Sequence, residues 1–210
     1  LSGKKGNSDQ FALAGSLNSV LKRKDDKTKL YANASQKEQN GMTTDEEYRA
    51  GVDYERKLSR RFNWYARAEF EKDEFEDIAL RSTYAGGLSY LAYESAKMTL
   101  RTRMGLFQRF ESYESNREDE SMAGIDFGIN HFWTINEYAT LETNVTYTPS
   151  FEAPDLDYKV NHSTVLKMPL GSGKRWFFQT GISNDYNNFV SPGRERLDTT
   201  YFSGLVLKFK

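Results

Sequence analysis

Between residues 62 and 70, in FNWYARAEF, the positions Phe62, Trp64, Ala66, Ala68 and Phe70 alternate with Asn63, Tyr65, Arg67 and Glu69. Successive side chains of an extended strand point to opposite faces, so a period of two sorts these residues into an aromatic-and-small face and a charged face. Wound as a helix, the same residues would spread around the whole circumference and leave no apolar stripe. The spacing predicts a strand with a different solvent on each side.

The alternation recurs from Phe11 to Leu21, more weakly from Leu30 to Gln36, and again over 48–54, 80–90, 98–110, 123–133, 141–147, 158–168, 176–186 and 201–209. That makes about eleven strands, most of them about 10 to 14 residues long, whereas strands of globular proteins run about 5 to 6. A tilted strand crossing a membrane needs about 9 to 11. The connections alternate as well. Short turns fall near KRKDDK, LSRR, YESAK, TINE and LGSGK, and longer polar loops near QKEQNGMTTDEE, EKDEFED, ESYESNREDES, PSFEAPDLD and NNFVSPGRERLD. Short turns on one rim and long loops on the other are the habit of bacterial outer-membrane barrels.

Aromatic placement agrees with this. Trp64, Trp133 and Trp176 sit near short turns on the apolar parity, and the long-loop ends carry Phe11, Tyr48, Phe70, Phe110, Tyr147, Tyr158, Tyr186 and Tyr201. Two such bands are the interface-seeking girdles of a membrane barrel. KGNSDQ, near the start, reads as a long-side loop, so Leu1 to Lys4 would be the tail of a strand climbing to it. The expectation is an all-β, antiparallel up-and-down transmembrane barrel of about twelve strands, an even number, with most of its first strand missing. Residues 1–210 form its single domain. The competing fold is a soluble antiparallel barrel or sandwich with its apolar face inward. Strand length, girdles and turn asymmetry count against it.

Composition changes this picture little. Charged residues make up 28% of the chain and mean hydropathy is −0.76, values of a soluble protein if barrel strands, whose lumen side is polar, are left out of account. No apolar run approaches the roughly 18 residues of a membrane-spanning helix. A net charge of −1 offers no basic surface for nucleic acid. The absence of cysteine excludes a disulfide scaffold and thiolate metal sites. LSGKKGNSDQ is not a secretion leader, so an exported protein would be represented by its mature form or a fragment.

On the polar parity, Asp53, Arg67, Glu69, Arg101, Arg103, Asp126 and Glu142 fall near mid-height of the expected lumen, with Arg81 and Arg109 higher. Asp53, Glu55, Glu69 and Glu71 would form an acidic wall beside a basic one of Arg81, Arg101, Arg103 and Arg109. Charged linings of this kind select solutes, unless the charges pair and plug the barrel. Catalysis is not expected. In NHST, His162 and Thr164 take the outward parity while Ser163 points in, out of hydrogen-bond reach. His131, beside Trp133, reads as interfacial. GSGKR lacks phosphate-loop spacing, and the acidic loops lack calcium-loop spacing. No metal or cofactor is expected.

The segments GNSDQFALAGSLN, YERKLSRRFNWYARAEFEKDEFED and DTTYFSGLVLKF resemble the YdiY-like family of salt-induced outer-membrane proteins, domain-of-unknown-function family 481. The resemblance covers nearly the whole chain. It implies a Gram-negative outer-membrane barrel and carries no catalytic motif. Lys210 after Phe209 departs from the usual aromatic terminus of such barrels. The function expected is a narrow channel for small hydrophilic or charged solutes. The alternative is a plugged anchoring barrel that holds a protein partner at its long loops or periplasmic rim. Outer-membrane lipid is a partner in both readings.

Overall fold

The computed structural model describes residues 2–4, 10–40, 42–74, 77–115, 117–171, 175–188 and 195–207. Among these, all regular structure is strand, in one sheet whose twelve members follow one another in chain order. They are β1 (Ser2–Lys4), β2 (Gln10–Lys22), β3 (Asp26–Gln39), β4 (Met42–Lys57), β5 (Phe62–Asp73), β6 (Ile78–Glu94), β7 (Met98–Tyr113), β8 (Glu120–Asn136), β9 (Ala139–Pro149), β10 (Tyr158–Leu170), β11 (Trp176–Asn187) and β12 (Leu197–Leu207). The pairing is antiparallel and up-and-down, as expected from the alternation. Ser2 stands opposite Ala12 and Gly3 opposite Phe11, so residues 2–4 do run as a strand beside β2.

The strands outrun the expectation. β6 and β8 reach 17 residues, and β3 and β4 extend into what reads as a long loop over 36–47. The reason is local. Asn40 takes a left-handed backbone with φ 54°, a conformation asparagine tolerates, which lets the chain reverse between Gln39 and Met42. A bulge between Lys37 and Glu38 absorbs the odd residue. The loop over 149–157 is real, with only Pro149 still in strand and an isolated bridge from Ser150 to Gly124. The short turns use one device twice. Ser59 Oγ accepts from the Phe62 amide at 3.1 Å, and Ser95 Oγ accepts from the Met98 amide at 3.0 Å. A serine hydroxyl that takes a nearby backbone N–H closes the turn. In the link after β7, Arg117 donates to Glu120 at 2.5 Å, and this hydrogen bond raises its pKa.

The chain divides into two compact units. One holds Leu1–Leu58, Asn63–Gly87 and Leu106–Ala123, the other Ser59–Phe62, Leu88–Gly105 and Gly124–Lys210. In the first, Leu17, Leu80 and Phe110 are exposed on the apolar parity while Tyr65, Ala85 and Phe107 cluster, buried, on the polar parity with Met122 packed against them. In the second, Met104, Ile129 and Leu205 are exposed on the apolar parity, and Asp126 on the other is 0% exposed. Each unit therefore turns large apolar side chains outward and holds charge inward, the inverse of a soluble domain.

Each unit also carries its own aromatic row. Phe70, Tyr84 and Phe110 meet edge to face, with centroids 6.0 and 6.4 Å apart. Phe127, Tyr147, Tyr158 and Tyr186 form a second row with centroids 6.4, 5.6 and 5.8 Å apart. Tyr84 and Phe127 join these rows beyond the expected girdle residues. Trp64 leans on Tyr54 at 5.1 Å, while Trp133 and Trp176 are exposed near the short turns. Tyr48 is exposed on β4, and Tyr201 pairs with Ile182, two rows from the Tyr186 level. The side chain of Phe11, and Lys210 altogether, lie outside the described residues.

Candidate functional site on the polar face

In the first unit, β4 to β7 raise charged side chains from one face of the sheet. Arg49 reaches Glu47 at 2.9 Å and Glu71 at 3.2 Å. Glu71 also takes Arg81 at 3.1 Å. Arg81 in turn donates through Nε to Glu111 at 2.7 Å, and Glu111 lies 3.8 Å from Arg109. The Tyr113 hydroxyl donates to Glu111 at 3.0 Å. Glu71, Arg81 and Arg109 are each less than a tenth exposed. Buried charge is costly unless paired, and here signs alternate along the chain of contacts, with Arg81 using two nitrogens to bridge two carboxylates. The Arg109 guanidinium lies over the Phe107 ring at 5.3 Å, so the network rests on the buried aromatic cluster.

This is a different electrostatic object from the one the sequence suggests. Within the first unit, members of the expected acidic and basic sets, Glu71 and Arg81, meet in an ion pair. Glu71 sits between Arg49 and Arg81, and Glu111, absent from the acidic set, joins Arg81 to Arg109. Parity places Glu111 on the same face as Arg109 two residues earlier, which is the one signal the sequence offers for it. Phe107 and Tyr65 are legible by parity too, but an aromatic residue among charges reads as polar-face noise until its neighbours are known.

Further along the same face, the Tyr31 hydroxyl donates to Glu69 at 2.5 Å. Register explains the reach, because Tyr31 stands opposite Gly51 and Gly51 opposite Glu69. The tyrosine lies across β4 in the space a side chain at 51 would occupy. Asp53 stands opposite both Lys29 and Arg67, a cation on either side.

The second unit places Arg103 against Asp126 at 3.1 Å and lets it donate to Thr146 Oγ1 at 3.0 Å. The arginine stem lies over Gly128, where an added Cβ would come within 2.5 Å of Nε. Arg101, two residues earlier on the same face, is half-buried. Glu142 pairs with Lys167 at 3.2 Å, and Asn130 donates to Asn144 at 2.6 Å. Asn161 donates to Asp185. Along β9–β11 this face is mostly hydroxyls and amides with a few charges, interrupted by Val165, Pro169 and Phe177, and it is half-exposed. Among the described residues no group of acidic and histidine side chains is arranged to hold a metal ion.

The family described as "Protein of unknown function, DUF481" matches residues 1–209. A search of curated proteins finds no match to the chain. Among solved structures, the NanC porin superposes with a TM-score of 0.57 at 12% identity, covering 94% of this chain and 99% of the porin. The CymD monoaromatic hydrocarbon channel aligns with a TM-score of 0.44 at 8% identity, covering 97% and 78% of the two chains. The fold is that of an antiparallel up-and-down β-barrel of the kind seen in the NanC porin.

Proposed function

From the premise that this chain belongs to the DUF481 family and shares a porin fold, we propose that it is a channel of the bacterial outer membrane that passes small hydrophilic or charged solutes. The observation that carries this reading is the half-exposed polar face of β9–β11. Glu142 and Lys167 keep 35% and 40% of their side chains exposed although they pair, so their charges are felt by whatever crosses. A wall of hydroxyl and amide groups with sparse charge exchanges hydrogen bonds with a hydrated solute at little cost. The apolar face, with its aromatic rows, meets outer-membrane lipid.

A second reading has its own support. The buried ionic network and the Tyr65, Ala85 and Phe107 cluster pack one stretch of the polar face as a core would, which suits a plugged anchoring barrel whose partner is a protein held at its loops or periplasmic rim. Single-channel recording in planar bilayers separates the two. Stepwise conductance, with selectivity moving toward anions in Glu142→Gln and toward cations in Lys167→Gln, fits the channel. Silence from protein demonstrably folded and inserted would overturn it in favour of the plug.

A further inference from the structure

On the apolar face of the second unit, a band of polar side chains crosses β9–β12. The register sets Val145, His162, Asn184 and Thr199 opposite one another, and in the next row Thr143, Thr164, Ile182 and Tyr201. Hydrogen bonds connect the polar members. Thr199 Oγ1 meets Asn184 at 2.8 Å, the Asn184 amide meets His162 Nδ1 at 2.9 Å, and His162 Nε2 meets Thr164 Oγ1 at 2.9 Å. Thr164 Oγ1 continues to Thr143 Oγ1 at 3.1 Å. Nothing in the strand ladder requires these groups, and polar or ionisable side chains turned toward lipid are costly and point to function.

We propose that Thr164, His162 and Asn184 form an acyl-transfer site that opens to the lipid leaflet and cleaves the carboxylic ester of a membrane lipid. The inference rests on the reading that the apolar face meets lipid, and it is independent of whether solute passes through the barrel. The arrangement is that of nucleophile, base and orienting group, each in hydrogen-bond reach of the next. His162 and Thr164, two apart on one strand, share a face by the period of two, and Asn184 stands directly opposite His162. Ser163 points the other way. The hydroxyl within reach of the imidazole in NHST is therefore that of its threonine.

Polarity is consistent along the chain. As placed, the Asn184 amide nitrogen faces His162 Nδ1 and its oxygen accepts from Thr199 Oγ1. Exchanging the two ends of the amide keeps both contacts, lets the oxygen accept from His162 Nδ1–H and the nitrogen donate to Thr199, and leaves Nε2 to accept the Thr164 proton. Depth agrees too. Asn184 lies two residues, about 7 Å, along the strand from Tyr186 in the aromatic row, and that row marks the headgroup level beside which ester carbonyls lie.

The steps balance without an added oxidant or reductant. Thr164 Oγ1 attacks the ester carbonyl as Nε2 takes its proton. The carbon–alkoxy bond breaks, and the leaving alkoxide takes that proton. Water then attacks the acyl-Thr164 ester, gives its proton to Nε2, and the fatty acid departs as Thr164 Oγ1 is reprotonated. Thr143, 3.1 Å from the nucleophile, is the hydroxyl placed to donate to the oxyanion.

The test uses the full chain folded in detergent micelles and in phospholipid vesicles carrying a fluorescent acyl chain, with p-nitrophenyl butyrate as a second substrate. Release of product, with a transient acyl adduct located by mass spectrometry on the peptide holding Thr164, is the expected result. Thr164→Ser keeps the rate within about tenfold, whereas Thr164→Val and His162→Gln lower it by about 100-fold or more. Asn184→Ala lowers kcat and leaves KM in place. Absence of adduct and of hydrolysis above the Thr164→Val level, in wild type and Thr164→Ser that are folded by their electrophoretic shift, overturns the site. If the same preparation still conducts, the channel reading stands without it.

Discussion

Arg103 approaches Asp126 to 3.1 Å while the carboxylate is wholly buried, and the arginine stem fills the space that Gly128 leaves open. Removing the arginine takes the 3.1 Å cation from a wholly buried carboxylate, whereas neutralising the acid leaves a partly wetted guanidinium that still donates to Thr146. Arg103→Ala is therefore expected to cost about 3 kcal/mol, and Asp126→Asn clearly less. Urea unfolding from lipid vesicles measures both, and equal losses would count against the asymmetry of burial.

Gly51 and Tyr31 give a second case in which a missing side chain is structural. The Tyr31 ring crosses β4 to reach Glu69, so Gly51→Val must displace it. Overpacking of this kind costs about 1 to 3 kcal/mol. Tyr31→Phe, which loses only the hydrogen bond to a charged acceptor, is expected to cost about 1.5 to 3 kcal/mol. If the two effects share one origin, the double variant costs less than their sum, and full additivity in a thermal unfolding series would refute that link.

What a period of two records sets how much of this is legible in the sequence. Alternation reveals which side of the sheet a residue faces, so the strands, the outward Phe70 and Phe110, and the inward Arg81, Arg103 and Asp126 can be placed from parity alone. It does not reveal partners. Glu111 and Glu142 show the difference. Glu142 is expected among the mid-height charges and is found with Lys167, a residue that parity places nearby but does not single out. Glu111 falls in a segment that reads as loop, because strand ends are read from polarity, yet it is the joint between two arginines. The same limit hides Asn184. Parity turns His162 and Thr164 outward, but only the β10–β11 register brings the amide opposite the imidazole.

The alternating network predicts coupling rather than a sum of pairs. Glu71 and Glu111 both hold Arg81, so each carboxylate's loss is partly covered by the other. The double variant Glu71→Gln with Glu111→Gln is expected to exceed the sum of the single losses, with a coupling energy of about 1 to 3 kcal/mol. A double-mutant cycle in urea checks this, and coupling near zero would show two independent salt bridges.

Face assignment makes the last prediction, and it needs no knowledge of the solute. Met104 is exposed on the apolar face of β7 and Asn144 half-exposed on the polar face of β9. An arginine introduced at Met104 must enter the hydrocarbon or bend toward its edge, at about 2 to 4 kcal/mol near the midplane. One introduced at Asn144 gives up the hydrogen bond accepted from Asn130 but stays beside hydroxyls and amides, and is expected to cost about 1 kcal/mol. Folding yield into vesicles, with urea midpoints for both variants, measures the difference. A soluble sheet with its apolar face against a core would fold in aqueous buffer without lipid or detergent and be hurt there by Met104→Arg, so repeating the measurement in plain buffer separates burial against protein from burial against membrane.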